Sequence, residues 1–326
     1  MQNIDRDLIF LYSENLRQRL TDLSSLLKKS PQRLRYSLKT FEDERFLHNP
    51  HCIFDYSYFG LILFRVYFKG GYISEKDKTG IIKELTLSPY VVSVYELSGE
   101  FDLSIELIAP NPSKFNKEFK KLTYLIPTLN NYKVLLNVVT HIYPRFYLTK
   151  NNLIRQRVQH EIIVGGDRTV VSFKESELEL IKHILFNPKA RMTSLAKDAS
   201  LNRTTALSVF KKLIRKRIIK GFKYFVNTNA LGIFRFRLFL KLHNLSQERE
   251  TEFMAYLSKV DEVVQVNKTV GDWDIEIDIE SFSKATVRSI IIGLREQFSD
   301  LIETFNSIEF YQSYKKAFLP TYLFES

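Results

Sequence analysis

The sequence repeats itself once, with a period of 172 residues. Three pairs of segments share this offset: GEFD (99–102) with GDWD (271–274), FG (59–60) with LG (231–232), and LTDL (20–23) with MTSL (192–195). Because all three pairs fall in one register, they indicate a tandem duplication that covers nearly the whole chain. The period is far too long for a solenoid repeat. Each copy is instead long enough to hold two small domains.

The overall composition is that of a globular protein. Hydrophobic residues make up 44% and charged residues 26% of the 326 residues. Arg65 and Arg235 interrupt the most apolar runs, so no run is long enough to span a bilayer. The opening MQNIDRDLIF contains acids and lacks the pattern of a signal peptide, and the single cysteine, Cys52, fits a reducing compartment. We therefore expect a cytoplasmic protein without membrane contacts.

The net charge of +11 suggests a polyanionic partner, although a solvated basic surface explains the charge alone equally well. The distribution of this charge is more informative. Residues 203–223 contain eight basic residues and no acid, and the matching residues 28–45 contain six, diluted by the acids at 42–44. Apolar residues recur at i, i+4 and i+7 from Leu34 to Phe41 and from Ala206 to Leu213, which predicts two helices with one narrow apolar stripe.

The other faces of these two helices are polar and basic. Ser30-Pro31 and Asn202 supply good N-terminal caps. Side chains near the helix N-termini are best placed for base edges, and lysines further along can neutralise phosphates. The predicted DNA-contacting residues are Gln32, Arg33, Arg35, Tyr36 and Lys39 in the first copy, and Arg203, Thr204, Thr205, Ser208, Lys211 and Lys212 in the second.

Each basic helix is the last of three short helices. The opening helices are predicted at 5–12 and 176–186, and the second helices at 21–27 and 193–199. Strand candidates at 51–56 and 223–228 follow and are expected to form a wing. Three short helices and a wing make a winged helix-turn-helix, whose recognition helix fits the major groove of DNA. We predict such domains at 1–50 and 174–222.

The rest of each copy has the order β-α-β-β-α-β. In the first copy, strands are predicted at 61–69, 90–97 and 132–142, with a further strand after Gly99 and helices at 74–87 and 112–125. In the second copy, strands are predicted at 233–242, 262–270 and 304–314, with a further strand after Gly271 and helices at 246–259 and 282–298. This order is typical of the ferredoxin-like fold. We therefore predict an α+β protein with two winged helix-turn-helix domains, each followed by a ferredoxin-like βαββαβ domain. The latter are placed at 51–148 and 223–326, with a linker at 149–173.

The sequence resembles the Lrp/AsnC family of transcriptional regulators. The resemblance rests on IDRDLI (4–9), on the Ser30-Pro31 start of the basic helix, and on the Gly-x-aromatic-Asp strand in both copies. It implies winged helix-turn-helix and ferredoxin-like regulatory (RAM) domains, double-stranded DNA as a partner, an amino-acid-like effector, and self-association through the regulatory domains. Two copies in one chain look like a fused pseudo-dimer, which pairs within the chain or across a homodimer. The sequence departs from the family pattern in two ways. Arg45 and Arg217 replace the glycine that usually follows the recognition helix, and Asn202-Arg203 stands where Ser-Pro is typical.

The third strand of the second copy alternates apolar and acidic residues. Its acids, Asp274 to Glu280, should share one face opposite Arg235, Arg237 and Lys241 of the first strand. We interpret them as a cross-strand charge ladder, because carboxylates along one strand without His or Cys are poor evidence for a metal site. The ladder should be weaker in the first copy, where Ser104 replaces an acid.

The turns before these strands are candidates for effector contact. The resemblance places the effector site of the family near them, while a plain hairpin needing glycine with positive φ is the competing interpretation. Because the two turns differ in sequence, at most one is expected to bind. The candidates are Gly99, Glu100, Phe101 and Asp102 in the first copy, and Gly271, Asp272, Trp273 and Asp274 in the second.

No other pattern indicates a cofactor, a metal or catalysis. The cluster at 48–52 lacks a fourth metal ligand, and His141, His160, His183 and His243 are expected to be packing or surface residues. Siroheme decarboxylases resemble the same family and occur as paired or fused copies, but the segments 97–101 and 270–273 lack the histidine of their typical His-Asn-Tyr motif. We therefore predict a DNA-binding regulator that is not an enzyme. A decarboxylase-like enzyme and an effector-free architectural protein that binds DNA or a protein remain the alternatives.

Overall fold

The computed structural model of the chain describes residues 4–70, 74–243 and 246–325. No helix within these ranges is both long and apolar enough to cross a membrane. The first half contains α1 (Arg6–Glu14), α2 (Leu20–Leu27), α3 (Pro31–Asp43), β1 (Leu47–Phe54), β2 (Ile62–Phe68), α4 (Glu75–Leu87), β3 (Val91–Ser98), β4 (Leu103–Ala109), α5 (Pro112–Leu125) and β5 (Tyr132–Ile142).

The second half repeats this order after a short connection. The connection holds α6 (Asn152–Arg155) and β6 (Ile162–Gly165). The repeat consists of α7 (Glu175–Phe186), α8 (Met192–Asp198), α9 (Arg203–Arg215), β7 (Ile219–Val226), β8 (Phe234–Leu242), α10 (Gln247–Leu257), β9 (Val263–Val270), β10 (Ile275–Ser281), α11 (Lys284–Gln297) and β11 (Ile302–Lys316). The predicted α+β class and the predicted element order are confirmed.

Eight strands close into a barrel that both halves build. The strand order is β2-β4-β3-β11-β8-β10-β9-β5, and β5 also pairs with β2, which closes the ring. The two halves join where β11 pairs with β3 and where β5 pairs with β9, both antiparallel. The ferredoxin-like units therefore pair within the chain, which is one of the two arrangements expected from the duplication.

The helices of the ferredoxin-like units cover the outside of the barrel. In the first half, Ile81 and Leu85 of α4 and Phe115 of α5 form one apolar core with alternate residues of β2 to β4. The second half has a matching core under α10 and α11. Because successive side chains of a strand point to opposite faces, the remaining residues of these strands face the barrel interior.

The strands expected to form wings pair with each other instead. β1 and β7 form a two-stranded antiparallel ribbon. The expected domain ends at 50 and 222 therefore fall inside β1 and β7. A lone strand leaves its backbone groups without partners, and each strand satisfies them with its counterpart from the other half. The ribbon and all six helices of the helix-turn-helix units contribute to one hydrophobic core.

The expected linker at 149–173 is also part of the structure. β6 pairs with the end of β5 and extends the sheet beyond the barrel. The Gly165 amide of β6 donates to the buried Asp55 carboxylate at 2.9 Å. Gly165 has a φ of +90°, and an added Cβ would lie 2.7 Å from the Tyr56 hydroxyl. This segment is therefore packed against the first half and is not a free tether.

Candidate nucleic-acid interface and the charged barrel

The helices α3 and α9 begin with the caps that the sequence predicts. The Ser30 hydroxyl accepts from the Arg33 amide at 3.3 Å, and Pro31 takes the first helical position. The Asn202 side chain accepts from the Thr205 amide at 2.8 Å. Such caps satisfy amides that the first helical turn leaves unpaired, and they fix where each helix starts.

The outer faces of α3 and α9 are open to solvent. Tyr36 is 74% exposed, and Lys212 is the exception on α9, because it is half-buried and paired with Glu177 of α7. Lys212 therefore ties α9 to α7 and contributes less to the outer face than predicted. The other predicted contact residues are all exposed, namely Gln32, Arg33, Arg35, Tyr36, Lys39, Arg203, Thr204, Thr205, Ser208 and Lys211.

The two helix-turn-helix units are fastened to each other. Arg17 of the first unit donates to the backbone carbonyls of Pro188 at 3.0 Å and Ala190 at 3.1 Å in the second. Lys189 pairs with Glu42 at 2.7 Å. Together with the β1–β7 ribbon, these contacts hold α3 and α9 in one fixed relation.

An open groove runs beside α3, between α1 and the barrel. Its volume is about 1600 Å³. Arg33 and Tyr36 of α3 line one wall, Arg6 lines the α1 side, and Phe282 and residues 229–232 line the barrel side. The Arg6 guanidinium lies 4.0 Å from the centre of the Phe282 ring. The face of α3 is therefore shared between the outer surface and this groove.

The predicted charge ladder is confirmed in the second half. Arg237 donates to Asp278 at 2.6 Å, Arg235 donates to the same carboxylate at 2.8 Å, and Lys241 pairs with Asp274 at 3.0 Å. The ladder differs from the expectation because Arg235, Arg237 and Asp278 are buried inside the barrel, whereas Lys241 and Asp274 are partly exposed. Burial alone would raise the pKa of Asp278, but the two arginines outweigh it and hold the pKa at about 2.

The ladder also crosses between the halves. Arg65 of β2 pairs with Glu106 of its own half at 3.0 Å and with Glu276 of the other half at 2.7 Å. The Tyr67 hydroxyl donates to Glu276 at 2.6 Å and accepts from Arg237 at 2.7 Å. Because buried charges are costly unless each is paired, this network fixes how the two ferredoxin-like units face each other.

The same network continues to the helix-turn-helix units. Glu280 at the end of β10 accepts from Arg145 at 2.8 Å and from the Tyr147 hydroxyl at 2.7 Å. Arg145 lies 3.6 Å from Glu14 of α1, which also pairs with Lys223 of the ribbon. Buried ion pairs therefore run from the barrel to α1 and β7. Neither Arg145 nor Glu14 could be predicted as part of the network, because neither belongs to a periodic pattern in the sequence.

The two predicted effector turns have different surroundings. Phe101 is buried against Tyr67 and Phe239. At the second-half turn, Lys133 of β5 pairs with Asp272 at 3.0 Å, and its amino group lies 5.7 Å from the centre of the Trp273 ring. The Trp273 indole N–H is buried without a hydrogen-bond partner among the described residues.

The remaining members of these turns contact the chain itself. Glu100 accepts from the side-chain amide of Asn306, and Asp102 accepts from the backbone amide of Gly70. Asp274 accepts from the Leu242 amide at 2.8 Å in addition to its lysine. Gly99 and Gly271 both have positive φ, +126° and +146°, as a tight turn requires.

Comparison with known proteins gives one relative by sequence. The chain is 27% identical over 121 residues to the HTH-type transcriptional regulator FL11 of Pyrococcus abyssi (strain GE5 / Orsay), which covers 37% of this chain and 79% of FL11. No family model matches the chain.

Among solved structures, the siroheme decarboxylase NirDL is similar over 97% of this chain and 93% of its own, with a TM-score of 0.58 and 12% identity. NirDL in co-complex with an iron-uroporphyrin III analogue gives a TM-score of 0.55. E. coli AsnC is 20% identical over 44% of this chain and 94% of its own, with a TM-score of 0.37.

The relative by sequence confirms the resemblance to helix-turn-helix transcriptional regulators, and the comparison with NirDL corrects one prediction. The prediction that the chain is not an enzyme is wrong, because a solved structure similar over 97% of the chain is that of an enzyme. That prediction rested on the missing histidine in both turns, and one fold can carry chemistry at other sites.

Proposed function

We propose that this chain is a sequence-specific DNA-binding transcriptional regulator of the Lrp/AsnC type, in which one chain supplies both recognition helices. The observation that carries the proposal is the pair of capped helices, α3 and α9, with polar and basic outer faces on two units that are fastened together. Similarity to an HTH-type transcriptional regulator supports it.

Within each helix, different side chains contact the bases and the phosphates. Arg33 and Arg203 lie near the helix N-termini, where a recognition helix meets base edges. Lys39 and Lys211 lie two turns further along, where phosphates are neutralised and counterions released. The affinity should therefore fall steeply as salt rises.

The preferred DNA site should have unlike halves. The outer face of α3 carries Gln32 and Tyr36, whereas that of α9 carries Thr204 and Ser208 at comparable places. A homodimer presents the same helix twice and reads a palindrome. This chain presents two different helices to one duplex.

Paired variants test the proposal. Replacing Arg203 and Lys211 with alanine should weaken binding to a selected DNA by ten-fold or more, since each contact to a base or phosphate is worth about 1–3 kcal/mol. The control is Lys117→Ala with Lys120→Ala, two exposed lysines of α5 that remove the same charge. Fluorescence anisotropy at fixed salt measures both, and equal losses in the two variants would refute helix-directed binding.

An amino-acid-like effector is proposed at the turn of the second half. The unpartnered Trp273 indole N–H supports this turn over the first-half turn, where Phe101 is buried by aromatic neighbours. Trp273 is the only tryptophan of the chain, so its fluorescence reports on this turn directly. Titration with apolar amino acids should shift or quench the emission. Emission unchanged by every amino acid would remove this turn from consideration.

A second candidate function is the binding or conversion of a polycarboxylate tetrapyrrole, as in the NirDL structures. The observation that favours it is the groove of about 1600 Å³, whose lining includes Arg6, Arg33 and Lys150 together with Tyr36 and Tyr147. Arginine and lysine can pair with the carboxylates of such a ligand, and the aromatic rings can stack on it. Addition of iron uroporphyrin should then shift the Soret band, and Arg33→Ala should abolish the shift. An unshifted spectrum would exclude this candidate.

A further inference from the structure

A cleft of about 460 Å³ opens between α10 and the segment that follows β5. Tyr143, Met254 and Val263 are among its lining side chains. At its rim, His141 Nδ1 lies 2.8 Å from a carboxylate oxygen of Glu161. Burial raises the pKa of Tyr143, and the nearby charge of Glu161 raises it further. The cleft is therefore a built polar and aromatic site outside the proposed interface.

Two histidines without a predicted function line this cleft. His141 and His160 were expected to be packing or surface residues, and both contribute to the lining. His160 lies beside Phe146, with ring centres 5.7 Å apart. The fold therefore places His141 and His160 in one cleft, although they are not adjacent in the sequence.

The same place in the first half is filled by a lysine side chain. Strand pairing makes Lys315 the counterpart of His141. Lys315 lies opposite Val94 of β3, and His141 lies opposite Val266 of β9. Val94 and Val266 are related by the repeat of 172 residues. The repeat therefore provides an internal comparison for the cleft.

Lys315 places its amino group at the carboxyl end of α4. Its Nζ donates to the Thr86 carbonyl at 2.8 Å and to the Ser88 carbonyl at 3.1 Å. A helix carries partial negative charge at this end. The repeat maps Thr86 and Ser88 onto Ser258 and Val260, and both of these line the cleft. Residues at the carboxyl end of α10 therefore line the cleft.

The end of the chain covers the first-half position. Tyr322 stacks on Tyr90 with ring centres 4.1 Å apart, and the Thr321 amide donates to the Pro89 carbonyl at 3.0 Å. In the second half, the chain after β5 turns away through α6 toward β6. The cleft is therefore open, whereas Thr321 and Tyr322 cover the matching position in the first half.

The open cleft keeps the features that suit a cation. His141 pairs with Glu161, and this carboxylate, the end of α10 and the side chains of Tyr143 and Phe146 line the space. An ammonium group is favoured by each of these features. Arg155 lies 5.0 Å from the centre of the Phe146 ring, but Asp261 neutralises its guanidinium.

We propose that this cleft binds a small organic amine, with its ammonium group where Lys315 Nζ lies in the first half and its apolar body on Met254 and Val263. A free aliphatic amine and the amino group of an apolar amino acid share this chemistry. The proposal does not depend on DNA binding.

Calorimetric titration of the full chain tests the proposal with isopentylamine, leucine and the uncharged 3-methylbutan-1-ol. Isopentylamine or leucine should bind and the alcohol should not. His141→Lys should place a tethered ammonium in the cleft, as Lys315 does, and abolish binding. His183→Lys on α7 is the matched control and should leave binding unchanged. Glu161→Gln should weaken binding at least ten-fold.

The outcomes separate the two sources and can overturn the proposal. Tighter binding of leucine would identify an amino acid, whereas binding of isopentylamine alone would identify an amine. Circular dichroism of each variant reports whether it folds. Absence of binding by both amines, equal binding of the alcohol, or unchanged binding in a folded His141→Lys variant would overturn the proposal.

Discussion

The two halves of the chain share one fold but place charge differently. On the first-half strand β4, the positions matching Glu276 and Glu280 hold Ser104 and Ile108. The second half therefore supplies acids both to its own arginines and to Arg65 of the first half. The halves are therefore not equivalent, because the second half supplies acids that the first half lacks at the matching positions.

The largest effect should come from making the second half resemble the first. Glu276→Ser removes the partner of Arg65 and Tyr67 inside the barrel, and breaking a buried pair costs about 3–5 kcal/mol of unfolding free energy. Urea denaturation measures the loss. Ser104→Ala, a buried change at the matching first-half position, should cost about 1 kcal/mol or less. Equal losses would mean that the halves contribute equally to the barrel.

The two turn glycines give a smaller contrast. An added Cβ at Gly271 would lie 2.7 Å from Leu135 Cδ2 and 3.2 Å from the Val134 carbonyl oxygen, whereas at Gly99 the nearest atoms lie at 3.5 Å. Both positions are strained for alanine because φ is positive. Gly271→Ala should lower the free energy of unfolding by about 2–3 kcal/mol and Gly99→Ala by about 1 kcal/mol. Thermal unfolding of the two variants in one buffer checks the order, and a larger loss at Gly99 would contradict it.

The smallest effect concerns the filled and open clefts. Burial lowers the pKa of Lys315 to about 8, against the opposing charge of Glu325. The unfolded chain therefore binds one more proton than the folded chain between pH 8 and the ordinary lysine value, so this group makes stability rise with pH in that window. The rise should be on the order of 1 kcal/mol.

Lys315→Met should abolish this contribution. The difference between variant and wild type, followed by urea denaturation at pH 7.5 and pH 10, isolates Lys315 from the other titrating groups. Lys83→Met, on the exposed face of α4, is the control and should keep the rise. A rise of the same size in the Lys315 variant would assign it to other groups.

Much of the fold could be predicted from the sequence, because local sequence patterns determine the helices and strands. The helix at 112–125 and the strand at 132–142 occur with their predicted bounds, since apolar period, caps and turns are properties of neighbouring residues. The arginine–acid ladder followed for the same reason, because alternation along β8 and β10 fixes the facing sides.

The features that could not be predicted from the sequence depend on contacts between the halves. The β1–β7 ribbon, the closure of the barrel by β5 and β2, and the pairing of Arg145 with Glu280 all join residues far apart in the chain. No periodic pattern encodes such pairings. The burial of the ladder was missed for this reason, because only the docked second sheet removes it from water.

The most direct test of the account is the footprint and stoichiometry of the full chain on a DNA selected from a random pool. Hydroxyl-radical footprinting and sedimentation analysis should give one chain per duplex, with two protected stretches about one helical turn apart and different sequences in the two stretches. Two chains bound to a perfect palindrome would contradict the account, since α3 would then add nothing that a second copy of α9 does not supply.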